Sequence, residues 1–105
     1  MLNGGLVYMV ASPNRAVIYI GVTSDLESRI WKHKNKFYEN SFTARYNCSV
    51  LVWYKYFDSI ETAIAEEKRI KGGSRAQKEE LINSINYEWN DLWDKVKQIR
   101  LYPRE

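Results

Sequence analysis

One cysteine and one histidine are all the chain has, so it cannot assemble the four-ligand cage of a structural zinc site, and Cys48 has no intrachain partner for a disulfide. A lone thiol without a partner points to a reducing, cytoplasmic setting and to a packing role for Cys48. No Gly-rich phosphate loop occurs, which removes the nucleotide-binding signatures. No apolar run reaches the roughly 18 residues of a membrane span, and Met1 to Gly5 does not resemble a signal peptide. A membrane partner is therefore not expected. Charge of one sign is also scarce, since 16 Lys and Arg against 13 Asp and Glu leave a net charge of +3. That balance does not by itself indicate nucleic-acid binding.

What the chain does have is aromatic residues in a particular place. Arg29, Lys32, Lys34, Lys36 and Arg45 are interleaved with Trp31, Phe37, Tyr38, Phe42 and Tyr46, whereas the acids gather after Asp58. Such a stretch is either a solvated basic face beside core aromatics or a groove that neutralises phosphates and offers rings to unstacked bases.

With 105 residues the chain forms one domain, able to bury roughly 65% of its unfolded surface around a single core. Leu6 to Val10 and Val17 to Val22 read as an antiparallel hairpin turned at Pro13-Asn14. Ser24 with Glu27 has capping-box spacing and opens a helix to about Lys34. Residues 35–48 show no clear period. Val50 to Phe57 is a third strand, apolar on both faces under strict alternation, and is expected at the centre of the sheet. A helix from Asp58 or Ser59 stops at Gly72-Gly73, where glycine can supply a left-handed cap. Ser74 and Gln77 repeat the capping-box spacing for the next helix, which Asn86 breaks, and a stripe from Trp89 through Ile99 continues to Pro103.

Two of these helices carry polar groups where a core stripe should be. At about 100° per residue, Glu67 falls within the stripe of Ile60, Ala63, Ile64 and Ile70, with Lys71 one turn later. A carboxylate there must be paired, hydrogen-bonded or bound to a cation, and a Glu67–Lys71 ion pair is the simplest solution. Leu26, Arg29, Ile30 and His33 occupy the corresponding positions of the first helix. On the strands, Tyr8 and Tyr19 can be brought together by the hairpin, and Gly21 leaves space on the same face for a phosphate, although a bulge also explains it.

The residues Leu6-Val7-Tyr8 and Tyr19-Ile20-Gly21, followed by the helix segment to Lys34, resemble the GIY-YIG nuclease family, in particular its small stand-alone bacterial members. Thr43-Ala44-Arg45-Tyr46-Asn47, Ala63 to Lys71 and Asn86 to Leu92 are similar to the same pattern, so the resemblance covers about residues 6–92 and leaves 93–105 as a C-terminal helix and tail. The first motif departs from Gly-Ile-Tyr but keeps its tyrosine. The resemblance implies an α+β fold, with a three-stranded antiparallel sheet flanked by helices, and an endonuclease hydrolysing DNA phosphodiesters, structure-selective in repair or recombination. It also implies Tyr8, Tyr19, Arg29, His33 and Glu67 as catalytic residues, Glu67 holding Mg²⁺ or Mn²⁺. Tyr8 is the first choice to orient or deprotonate the water and Tyr19 the second. Gly21, Lys34, Arg45, Tyr46, Lys71 and Asn86 are the candidate substrate contacts, Asn86 standing for the family's late asparagine. The alternatives are a catalytically weak nucleic-acid-binding module and an interaction domain on the same fold.

Overall fold

The computed structural model describes residues 4–101. Three strands, β1 (Gly5–Ala11), β2 (Ile18–Thr23) and β3 (Val50–Phe57), form an antiparallel sheet in the order β2-β1-β3. Among the described residues there are also five helices: α1 (Leu26–Lys34), α2 (Phe42–Arg45), α3 (Ile60–Lys71), α4 (Arg75–Ile85) and α5 (Trp93–Leu101). The fold class is thus the expected α+β arrangement.

The central strand is β1, not β3. Every residue of β1 is buried, whereas β3 becomes exposed at Lys55 and Tyr56. Its apolar look on both faces came from amphipathic tyrosines, which can keep a ring on the sheet and a hydroxyl in water at an edge. Strict alternation in β3 also fails. The register against β1 shifts between Met9, opposite Trp53, and Val10, opposite Leu51. This bulge puts Val52 and Trp53 into the same core cluster.

Each face of the sheet has its own core. Val7, Met9 and Ala11 pack with Ala63 and Ile70 of α3 and Ile82 of α4, while Leu6, Tyr8 and Val10 pack with Leu26 and Ile30 of α1 and Val96 of α5. Cys48 is fully buried in the second cluster, as a packing residue should be, and burial pushes its thiol pKa up.

Helix ends follow local chemistry, with three departures from expectation. Asp25, not Ser24, caps α1, because its carboxylate accepts from the Ser28 amide. Gly72 closes α3 in right-handed backbone (φ −77°), so no left-handed glycine is used there. The segment after α4 is not one continuous helix: Trp89 sits in a turn at φ 56° and α5 begins only at Trp93. The Ser74–Gln77 capping box on α4 is present with both of its hydrogen bonds. The unassigned 35–48 stretch contains α2, capped by Ser41. Pro103, expected to end the last helix, lies outside the described residues.

Candidate active site

Tyr8 and Tyr19 share the α1 face of the sheet but are not direct cross-strand partners. Tyr8 stands opposite Gly21 and Val10 opposite Tyr19, so the two rings meet on the diagonal with centroids 6.5 Å apart. Gly21 is needed for this arrangement. A Cβ there would lie 2.4 Å from the Tyr8 hydroxyl oxygen, so the missing side chain makes room for the Tyr8 phenol, not for a phosphate. That corrects the expectation from sequence.

Helix α1 covers the two tyrosines with its mixed stripe. Leu26 and Ile30 are buried, and His33, on the same stripe, meets Tyr8 through a 2.8 Å hydrogen bond from the hydroxyl to Nε2. The positive charge of Arg29 acts on the same hydroxyl. With the phenol donating to Nε2, the neutral imidazole carries its proton on Nδ1 and presents it to Thr43 Oγ1 of α2, at 2.8 Å. The Thr43 and Ser41 hydroxyls are 3.3 Å apart, which extends the chain outward to a residue that is only half-buried. The Tyr19 ring meets His33 edge-on at 5.8 Å.

Burial dominates the electrostatics. Tyr8 is completely inaccessible, and desolvation pushes its pKa up to about 12, against the opposing effect of Arg29 and with small additions from the Tyr19 and Glu67 charges. His33 is pushed down to about 4 by burial and, secondarily, by Arg29, so it is neutral at physiological pH. Tyr19 is part-exposed, which makes it the reachable hydroxyl of the pair.

Glu67 comes from α3, which packs against β1 and β2, and its negative charge reaches the Tyr8 hydroxyl. Its side chain is 12% exposed and faces Lys71 Nζ at 3.6 Å, whereas Lys71 is 62% exposed. The ion pair expected from spacing is therefore present, but loose and held by a lysine free to swing into solvent. Glu66, one position earlier, is tied instead to Arg69.

The remaining candidates divide. Arg45 and Tyr46 are exposed at the end of α2, and the Tyr46 ring lies 4.7 Å from Phe42, itself 5.9 Å from Tyr19. Lys34 is spent on structure, donating to Ser49 O and pairing with Asp91. Asn86 is buried, and both amide protons are used, on Val52 O (3.0 Å) and Asn90 O (2.8 Å). It staples the turn after α4 and is not placed to meet substrate. Thr43 was not singled out from sequence, and Phe42 was read only as one of the rings interleaved with the basic residues, because a stretch with no periodicity does not say what α2 would face.

The GIY-YIG catalytic domain profile matches residues 4–80, which is most of the chain. The chain belongs to the GIY-YIG family. A solution NMR structure of a UPF0213 protein, BH0048 from Bacillus halodurans, is similar over 83% of this chain and 90% of its own, with 28% identity and a TM-score of 0.53. No curated protein matches. Membership implies a nuclease-type function acting on nucleic acid, and the three-stranded sheet with its helices is the fold of that neighbour. Among the described residues no helix is long and apolar enough to cross a membrane.

Proposed function

We propose that this GIY-YIG protein is a metal-dependent endonuclease that hydrolyses DNA phosphodiesters by in-line attack of water, on branched or damaged DNA of the kind met in repair and recombination. The carrying observation is the hydrogen bond between Tyr8 and His33 with the Tyr19 ring against both, at a hydroxyl that also feels the charges of Arg29 and Glu67.

A tyrosine cannot serve as a free phenolate base at the Tyr8 position. With a pKa of about 12, ionising it at pH 7 costs about 7 kcal/mol. Being inaccessible, Tyr8 also cannot touch the nucleophile. Its role is to hold His33 in place. The accessible Tyr19 hydroxyl orients the attacking water, reversing the order of preference suggested by sequence. Arg29 hydrogen-bonds the non-bridging oxygens as negative charge builds on them.

Among the described residues no cluster of three or more His, Cys, Asp or Glu side chains could enclose a metal. A single carboxylate fits a hard ion that keeps several waters and takes further ligands from the substrate phosphate, provided the Lys71 ammonium swings away. Glu67 would hold such an ion, Mg²⁺ or Mn²⁺, which when bound supplies Lewis-acid stabilisation of the phosphoryl oxygens. The Lys71 contact also favours a second reading, a binding module with little turnover in which the ammonium permanently neutralises Glu67.

Incubating the protein with branched, single-stranded and duplex DNA in Mg²⁺, Mn²⁺ or EDTA separates the readings. Metal-dependent nicking supports the nuclease. Salt-sensitive binding with no cutting in any metal supports the module.

A further inference from the structure

Five large aromatic side chains between Trp31 and Tyr46 stand 44–59% exposed, in contact as Trp31–Phe37–Tyr38 and Phe42–Tyr46, the clustered apolar surface that marks a binding site. Two of them, Phe42 and Tyr46, differ from the others in being joined to the candidate site. Their rings pair at 4.7 Å, and Phe42 touches Tyr19 at 5.9 Å, next to His33 and Tyr8.

Their platform is firmly mounted. In α2, Thr43 and Ala44 are buried, Thr43 Oγ1 binds His33, and the Thr43 carbonyl accepts from the Cys48 amide at 2.8 Å. The inward side of this one-turn helix is thus fixed to the active site while Phe42 and Tyr46 face out. Between residues 29 and 46 the chain has five cations, of which Lys34 is paired with Asp91 and Arg29, Lys32, Lys36 and Arg45 remain, against one acid, Glu39. A neutral apolar ligand would find no match for that charge, and an acidic polymer carrying flat rings would.

We propose that Phe42 and Tyr46 form a stacking subsite for an unpaired nucleobase adjoining the phosphate that is cut. In a duplex each base is covered on both faces by its neighbours, so an aromatic pair can stack only where a base has lost a neighbour or its complement. The substrate class is therefore DNA with an unpaired nucleotide at the cleavage point, and the subsite selects it by stacking, which is tolerant of base identity. This rests on the nuclease reading for the word "cut", but the subsite itself is a binding claim.

The test is made in EDTA, where catalysis plays no part. An oligonucleotide carrying 2-aminopurine is presented unpaired and, separately, within a duplex, with wild type, Phe42→Leu, Tyr46→Leu and Phe42→Tyr. Wild type is expected to quench the unpaired analogue by stacking and to bind it more tightly than the duplex. Each leucine variant should lose the quench and bind the unpaired strand about tenfold or more weakly, with duplex binding little changed. Phe42→Tyr should retain both, and unchanged circular dichroism excludes misfolding. Equal weakening toward both DNAs, an unaltered quench in the leucine variants, or no oligonucleotide binding by wild type would overturn the subsite. Absence of cutting in Mg²⁺ with the quench intact would overturn only the nuclease reading.

Discussion

Gly21 is the direct cross-strand partner of Tyr8, and its missing side chain is filled by the Tyr8 phenol: a Cβ at position 21 would come within 2.4 Å of that oxygen and 2.5 Å of the adjoining ring carbon. The glycine of the Tyr-Ile-Gly motif thus shapes the site from within the protein. It lets a tyrosine lie flat across the neighbouring strand and reach His33 on α1.

Gly21→Ala should therefore act through Tyr8. Displacing a fully buried ring in a packed sheet costs about 1–3 kcal/mol, so the urea midpoint should fall. The His33 resonances should shift as the hydrogen bond from Tyr8 lengthens. An alanine variant as stable as wild type with unshifted His33 signals would show that the phenol does not fill this space.

His33 gives stability a defined pH dependence. Its folded pKa of about 4 lies below the ordinary 6.5, so between these values the unfolded chain binds more protons than the folded one. The contribution of the neutral imidazole is complete above pH 6.5, declines as the pH falls, and is gone below about pH 4. Urea midpoints measured from pH 7 to 4 should drop more steeply for wild type than for His33→Gln. Parallel curves would contradict the buried neutral histidine.

The Glu67–Lys71 pair makes opposite predictions for two roles of the lysine. If the ammonium competes with a divalent ion for Glu67, Lys71→Met should lower the Mg²⁺ concentration needed for half-maximal nicking several-fold. Stability should change little, because the contact is loose, at 3.6 Å, and its lysine end lies in solvent. If Lys71 contacts substrate phosphate instead, kcat/KM falls and the Mg²⁺ requirement stays where it was.

Asn86 separates architecture from chemistry. Its amide holds the chain after α4 against β3 through Val52 O, so Asn86→Ala should destabilise the protein by about 1–3 kcal/mol by leaving a buried carbonyl without its donor. Nicking per folded molecule should be unaltered, as measured after correcting for the folded fraction. A large loss of kcat in a fully folded variant would return Asn86 to the site.

Much of this was legible in the chain because it depends on local rules. Strand runs, serine caps and the capping box at Ser74 follow from short-range chemistry, and helical spacing alone put Arg29, His33 and Glu67 on inward stripes. The unread parts depend on contacts distant in sequence. Which strand is central depends on what covers each edge, and the Val52–Trp53 bulge defeats a period-two reading of β3. The depth of Tyr8, which removes it from contact with water, is set by α1 packing over it. Lys34 looked like a phosphate ligand because its partner Asp91 lies 57 residues away. The His33–Thr43 bond belongs to an aperiodic segment whose spacing carried no information.

The most direct test is single-turnover nicking of a branched DNA by wild type and Glu67→Gln, in Mg²⁺ and in EDTA, with binding of the same DNA measured in parallel. The predicted result is cutting by wild type in Mg²⁺ only, and a rate at least about a hundredfold lower for Glu67→Gln with binding retained, the scale expected when a group stabilising transition-state charge is removed. Equal cutting by the two proteins, cutting that persists in EDTA, or tight binding with no cutting by wild type would contradict it.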